Sequence, residues 1–457
     1  MNTYWFFDTA LKRATKNAKN VIGSLKKDSM NPLCMEGKDA EQEIPWELRI
    51  ENGYPNVFFD PLIQKYRCYY TSYIDNADET VRQKYGADRK LLTGILYAES
   101  NDGVHWIKPA LGVIEYRGNT DNNIIGICTH GAGVLLDMKE TDPSKRYKMV
   151  SRDDRGPLNI FVAFSPDGIH FGEWIPVIDD PSYPGDTHNF VIRNQEDGRF
   201  LLYTRKFARE TRVEARFVSE DFIHWSDVTE VLSGVDMHDQ IYGMPVFFQD
   251  DLYWGLAEIY DGGDTALPHF DHVDVELCYS GDGVHWQRIA PGEPFIPNGP
   301  NGSYDSGCCY ASVPVRDGMD DIFYYMGGNG THYGIRNTGL CRARIDRKRF
   351  AGVTSRQGKE FMYQTRKLMM KPMSVYLCAD VSKGGSIVYE ALDKKGEVIQ
   401  ELSKDRCVPV LASSNCAVLR WKEATVPDDP CMIRFYCQDA VLYSISGDIE
   451  LKTEHPL

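Results

Sequence analysis

The sequence predicts an all-β chain: a five-bladed β-propeller followed by a C-terminal β-sandwich. Three observations carry this. The first is a stretch that occurs four times, as Ser100-Asn-Asp-Gly-Val-His-Trp106, Ser165-Pro-Asp-Gly-Ile-His-Phe171, Ser219-Glu-Asp-Phe-Ile-His-Trp225 and Ser280-Gly-Asp-Gly-Val-His-Trp286, recurring every 54 to 65 residues. The second is that each copy follows an alternating apolar run, such as Gly94–Glu99 or Val213–Val218, and precedes a short one. That is the pattern of a hairpin, with Asp and Gly making the turn and the closing aromatic packing back on the sheet. The third is the repeat length, which suits a unit of several strands sharing one turn signature, the mark of a propeller blade.

Each unit aligns on its first two strands. The innermost strands are predicted at Asn56–Asp60, Gly133–Asp137, Asn189–Arg193, Met244–Gln249 and Tyr310–Val315, one per blade. Second strands are predicted at Tyr66–Tyr70, Tyr147–Val150, Phe200–Tyr203, Leu252–Leu256 and Ile322–Tyr325, each after an Asp, Asn or Gly turn. The fifth unit closes with Gly339–Arg344 but lacks the Asp-Gly-x-His-Trp turn, as a terminal unit does where the chain leaves the array. Residues 1–45 are polar and Lys-rich and read as an arm, with an amphipathic helix near Asp8–Leu25, that caps the array or meets a neighbouring subunit. The propeller is assigned to 46–350 and the sandwich to 351–457, where alternating segments such as Gly385–Glu390 and Met432–Tyr436 are separated by Gly, Asp and Pro turns.

The 457 residues carry 51 Lys and Arg against 66 Asp and Glu, a formal charge of −15. An acidic surface repels nucleic acid and anionic membranes, so neither is expected as a partner. No apolar run reaches the length of a membrane span, and the opening residues lack the apolar centre of a secretion signal, so a cytoplasmic location is expected. The twelve cysteines fit it, since most sit singly in apolar runs (Cys68, Cys128, Cys278, Cys341) where reduced thiols act as small core residues. Cys308-Cys309 is the one adjacent pair, and with no second cluster at ligand spacing neither metal nor cofactor is expected.

In a propeller the residues just before each first strand and just after each second strand gather at one mouth of the axis. Those positions hold Asn52 and Tyr54; Asn122 and His130; Asp186 and His188; His238, Asp239 and Tyr242; Asp305; then Arg152, Arg205, Glu258 and His332. A single such Asp reads as a turn residue. As a set, gathered beside aromatics of the kind that stack on sugar rings, they read as a carbohydrate site. Carboxylates confined together drive their pKa values apart, which equips one as acid and another as base for cleaving a glycosidic bond.

The Ser-x-Asp-Gly-x-His-Trp turn, the Asn-Gly-Tyr-Pro-Asn-Val first strand after Trp46-Glu47-x-Arg49, and the C-terminal strands resemble the five-bladed β-propeller glycosidases, the superfamily that includes families 32 and 43. The similarity is greatest to a branch described only as glycosyl hydrolases, and runs from about Asn31 to the C-terminus. It implies three acids at the axis: a nucleophile or base, a pKa-tuning Asp and a Glu acid. The sequence departs from the superfamily by lacking the Asp-Pro-Asn-Gly opening in blade one, where Asn52 stands, and a clean Arg-Asp-Pro later.

Roles are therefore assigned locally. Glu258, in an apolar run, is the candidate general acid. Asp186 and Asp239 are candidates for base or nucleophile and for the orienting carboxylate, with Asp305 third. Asn52, Tyr54, Asn122, His130, Arg152, His188, Arg205, His238, Tyr242 and His332 are candidates for substrate binding. Arg152 and Arg205 would tune the acids or grip an anionic group through a bidentate fork. The leading expectation is a hydrolase that trims terminal sugars from short oligosaccharides or glycosides. A glycoside phosphorylase and a non-catalytic carbohydrate-binding propeller are the alternatives. A sialidase is disfavoured, because it needs three Arg and a Tyr nucleophile and only two Arg are placed at the mouth. A homo-oligomer is open, with the N-terminal arm and the sandwich as contact surfaces.

Overall fold

The repeated turn is built the same way each time in the computed structural model. In the fourth copy Ser280 Oγ accepts from Gly283 N at 2.9 Å, Asp282 Oδ1 accepts from Val284 N and His285 N at 2.8 Å, and Asp282 Oδ2 meets His285 Nδ1 at 2.7 Å. Gly103, Gly168 and Gly283 take left-handed φ values of 71°, 76° and 69°; the third copy puts Phe222 there at 70°. A bulky residue pays steric strain at positive φ. Phe222 offsets it by full burial against Phe200, Phe164 and Trp225. The glycine carbonyls accept from tyrosines of the neighbouring unit: Gly103 O from Tyr324, Gly168 O from Tyr69 and Gly283 O from Tyr203. The motif thus recurs because each turn locks one unit onto the next. Asp282→Ala removes the acceptor for two backbone N–H groups, so denaturant unfolding is expected to show a loss of about 1–3 kcal/mol. Asp282→Asn should lose less.

The structure describes all residues except 1, 40–41, 76–90, 156–158, 227, 423–428 and 453–457. It is almost entirely β; two 3-10 turns, Pro143–Lys145 and Gln400–Leu402, are the only helical elements among the described residues. The chain divides into two compact units, 1–24 with 289–293 and 345–457, and 25–288 with 294–344.

The larger unit is a succession of antiparallel meanders. The first runs Asn56–Asp60, Lys65–Asp75, Leu91–Ser100 and Trp106–Ile107, and the second Thr129–Leu136, Tyr147–Asp153, Asn159–Ser165 and Ile175–Ile178. The third runs Phe190–Arg193, Phe200–Ala208, Thr211–Ser219 and Thr229–Ser233. The fourth opens with Gln240–Gly243 and Val246–Gln249, followed by Leu252–Tyr260, Val273–Ser280 and Gln287–Arg288. The fifth opens with Cys308–Ala311 and Val315–Asp317, followed by Asp320–Gly328 and Thr338–Asp346. Its outer edge is supplied by Lys26–Lys27 and Cys34–Met35, paired with Ala343 and Gly339, which explains why no Asp-Gly turn follows its third strand.

The first strands stand side by side. Asn56–Asp60 contacts Thr129–Leu136 on one flank and Val315–Asp317 on the other, so the succession returns to its start. Polar links tie each to the next: Asn56 Nδ2 to Ala132 O, Asn189 Nδ2 to Gly131 O, Thr187 Oγ1 to Tyr242 O, Ala311 N to Glu258 Oε1, and Val57 N to Ser312 Oγ. Gly133 is required here, because a Cβ would stand 1.9 Å from Asn189 O. A cavity of about 550 Å³ is lined by Asn56, Val134, Phe190, Val246 and Ser312, one residue from each meander.

The smaller unit is an eight-stranded sheet dominated by two long strands, Leu368–Leu392 and Met432–Leu451. Register shifts between Met370 and Val375 and between Val381 and Ser386 let them bend around a core that includes Phe6, Leu377, Tyr389, Phe435 and Ile445. The helix expected near Asp8–Leu25 is not formed. Lys12–Lys16 and Ala18–Ile22 are strands instead, pairing with Glu360–Thr365 and Ala351–Ser355. Asn17 between them sits at φ 53° and donates to Gln357 O and Glu360 O, which breaks any helical run.

Candidate active site

Asp186 lies in the loop that enters Phe190–Arg193, and its side chain is 46% exposed. His130 and Arg152 are cross-strand partners in the second meander, so their side chains arrive together. His130 Nε2 and Arg152 Nη1 each stand 3.2 Å from Asp186 Oδ1, and Arg205 Nη1 stands 3.7 Å from Oδ2. Burial raises the carboxyl pKa, but the adjacent His130 ring and the charges of Arg205 and Arg152 outweigh it. The group is held well below the usual carboxylate range and is ionised at neutral pH.

Asn52, Tyr54, Tyr242, Arg205 and Arg336 form a buried polar layer. Gly53 at φ 72° and Tyr54 at φ 43° reverse the chain sharply, and Asn52 Nδ2 donates to both the Tyr54 and Tyr242 hydroxyls at 2.9 Å. Asn52 Oδ1 accepts from Arg336 Nη2 at 2.8 Å. The Asn52 side chain is therefore committed to holding this layer. Arg205 Nη2 donates to Tyr242 O at 2.6 Å, and its guanidinium lies 4.1 Å from the Tyr242 ring centre. His332 Nδ1 meets the Tyr310 hydroxyl at 3.0 Å. Burial, then the charges of Arg336, Arg212 and Arg205, push His332 down to about 3, and burial does the same to His188. Both rings are neutral.

Two fully buried carboxyls interact electrostatically with Arg205. Glu258 Oε1 accepts from Ala311 N at 3.0 Å, while Oε2 has no hydrogen-bond partner among the described residues. Burial pushes Glu258 up to about 8, against smaller opposing effects of that hydrogen bond and of Arg205. Glu214, the cross-strand partner of Arg205, has neither oxygen paired among the described residues, and burial raises it well above the carboxylate range. The Glu258 carboxyl adds to the resistance of Glu214 to ionisation.

Other predicted residues are engaged elsewhere. Asp239 Oδ2 pairs with Arg288 Nη1 at 2.5 Å, and Arg288 also grips Glu276. Asp305 is buried against Lys27 Nζ at 2.5 Å and accepts from the Tyr325 hydroxyl. His238 Nδ1 meets Asp261 Oδ1 at 3.0 Å, and Asn122 caps its own loop through Ile114 O and Ile124 N. Neither Asp239 nor Asp305 pairs with the Asp186 group; each holds a basic partner of its own, Arg288 and Lys27. Glu214, Arg212 and Arg336 were missed. Glu214 left one signal, a lone acid inside the apolar run Val213-Glu-Ala215. Among the described residues no three His, Cys, Asp or Glu side chains converge as a metal would need.

No protein-family model matches the chain, and no curated protein matches it in sequence. Solved structures do resemble it. A glycosyl hydrolase from Bacteroides ovatus aligns at TM-score 0.47 and 15% identity, covering 72% of this chain and 95% of that one. A structure described with the family of mannoside phosphorylases that contains hydrolases of β-1,2 mannosidic linkages aligns at TM-score 0.46 and 14% identity, covering 70% and 94%. An N-acetylgalactosamine deacetylase from F. plautii, in complex with blood group B trisaccharide, aligns at TM-score 0.50 and 14% identity, covering 71% and 96%. At such identity the likeness is one of architecture: this chain shares its β-rich fold with a sugar-modifying enzyme.

Proposed function

We propose that the chain is a glycoside hydrolase acting on terminal sugars of short saccharides or glycosides. Its meanders are read as the blades of a five-bladed propeller, on the strength of the first strands that flank one cavity and return to their start. The strands of 345–457 are read as a sandwich completed by residues 1–24. The reading is carried by one arrangement: the half-exposed Asp186 carboxylate stands 3.2 Å from both His130 and Arg152 and beside Arg205. Glu258, which also feels the charge of Arg205, is a buried carboxyl with Oε2 unpartnered among the described residues and its pKa pushed by burial up to about 8. Separated protonation states are what glycoside cleavage requires. Asp186 is assigned as base or nucleophile. Glu258 is assigned as the acid that protonates the leaving oxygen from Oε2. Glu258 is fully buried, so this role requires entering substrate to open the layer of Arg205 and Tyr242. Free cysteines fit a reducing cytoplasm, and no helix of the described residues is long and apolar enough to cross a membrane.

Two pH effects follow from Glu258. An acid must be protonated to donate, so kcat/KM is expected to fall as pH rises through about 8. Stability should decline over a related window. Between the ordinary glutamate value of 4.5 and about 8 the folded state holds a proton that the unfolded state has released, so raising pH disfavours folding. Glu258→Gln should remove both dependences in rate profiles and in denaturant titrations at several pH values.

Arg152, Arg205 and Arg212 also favour a second reading, phosphorolysis, in which phosphate replaces water. Product analysis with and without phosphate separates the two. Sugar binding without turnover of any glycoside would leave the non-catalytic reading standing instead.

A further inference from the structure

Most arginines near the mouth are neutralised by acids. Arg152 pairs with Asp154 and Asp186, Arg205 faces Asp186, and Arg288 pairs with Asp239 and Glu276. Arg212 differs. Its Nη1 donates to Gln240 Oε1 at 3.0 Å and its Nη2 to the Tyr333 hydroxyl at 3.3 Å, both neutral acceptors. Among the described residues its Nε is buried without a partner and no carboxylate forms an ion pair with it. Arg336 likewise bonds only neutral oxygens: the carbonyls of Glu51, Thr331 and His332, and Asn52 Oδ1. Arg205, Arg212 and Arg336 all act on the neutral His332 ring, with Asp186 as the opposing charge. Asp271 is also close; its carboxylate accepts from the Tyr260 hydroxyl and Tyr333 N and makes no ion pair with Arg212 among the described residues.

Arg205, Arg212 and Arg336 thus cluster here, and among the described residues Arg212 makes no ion pair. The surroundings of Arg212 are aromatic. Its guanidinium lies 4.7 Å from the Tyr260 ring centre and 5.6 Å from that of Tyr242, and Tyr333 beside it is 73% exposed. A part-buried guanidinium that sits beside tyrosine rings and makes no ion pair adds little to stability. It is preorganised for a planar anion that arrives from solvent.

We propose that Arg212 binds the carboxylate of an acidic sugar, a uronic acid residue of the substrate, while the exposed Tyr333 contacts the ring that bears it. This rests on the glycosidase reading for turnover but not for binding. A carboxylate is favoured over phosphate because a planar two-oxygen group matches one guanidinium edge, and stacking on tyrosine supplies the sugar with a second contact.

The test uses the full chain, with titration calorimetry or saturation-transfer NMR of methyl glucuronoside and methyl galacturonoside against the methyl glycosides of glucose and galactose. Loss of one charge-assisted contact should weaken binding of the acid sugars about 10- to 100-fold in Arg212→Met, with neutral sugars unchanged. Arg212→Lys should retain part of the preference, and melting curves confirm that each variant is folded. Neutral sugars binding as well as acidic ones, an unaltered preference in Arg212→Met, or Arg212-dependent binding of inorganic phosphate alone would overturn the proposal. Nitrophenyl uronides and neutral glycosides then separate the two ideas. Turnover of neutral glycosides alone defeats the acid-sugar inference and leaves the glycosidase reading. Arg212-dependent uronide binding without any turnover does the reverse.

Discussion

Asp186→Asn is expected to lower kcat/KM by about 10²- to 10⁴-fold, the range for removal of a positioned general acid or base. The substitution keeps the shape of the side chain and deletes its charge. Arg152 retains Asp154 at 2.7 Å, but the buried Arg205 loses its counter-charge, so some stability should be lost as well and the rate is compared per folded molecule below both melting transitions. Glu258→Gln gives the complementary result. Gln keeps an oxygen for Ala311 N, and with it the link between the fourth and fifth meanders, but has no proton to donate. If Glu258 is the acid, its variant should recover rate on substrates whose leaving group needs no proton, such as dinitrophenyl glycosides, and Asp186→Asn should not. Wild-type rates in Glu258→Gln would leave Glu258 as the structural link alone, and Asp186→Asn within a few-fold of wild type would end the base assignment.

The same contrast shows what was legible in the sequence. The strand Asn56–Asp60 is predicted residue for residue, and Phe190–Arg193 and Phe200–Ala208 begin within one position of the prediction, because turn chemistry and period-two alternation are local signals; the predicted Tyr310–Val315 falls instead across two strands, Cys308–Ala311 and Val315–Asp317. Pairing is not local. Asp8–Leu25 reads as a helix because nothing within that stretch reveals the partners of Lys12–Lys16 and Ala18–Ile22 at 351–365, more than 300 positions on. The gathering of polar residues near the ends of first strands was legible, but their direction was not. Asp186 and Asp239 occupy like positions before successive strands, yet one faces His130 and Arg152 and the other Arg288, 49 residues away in sequence. Glu214 escaped notice because its register with Arg205 is fixed by a hairpin whose significance appears only when Asp186 stands beside that arginine.

Asp305 illustrates the limit most sharply, and its pair with Lys27 should have a large effect on stability. The two residues are 278 positions apart, Asp305 is 1% exposed and Lys27 24%. Lys27 belongs to the short strand that closes the outer edge of the fifth meander. Its removal in Lys27→Met strands a carboxylate in the interior, and breaking a buried pair in this way costs about 3–5 kcal/mol. Asp305→Ala should cost less, because the part-exposed Lys27 ammonium is free to turn toward water. The double variant Lys27→Met/Asp305→Leu should regain much of the loss, since no uncompensated charge remains. Denaturant unfolding measures all three, and kcat per folded molecule should stay near wild type in each. A catalytic Asp305 makes the opposite demand, in which Asp305→Asn loses turnover at an unaltered melting temperature. That result would return Asp305 to the chemistry and displace Lys27 as the reason for its burial.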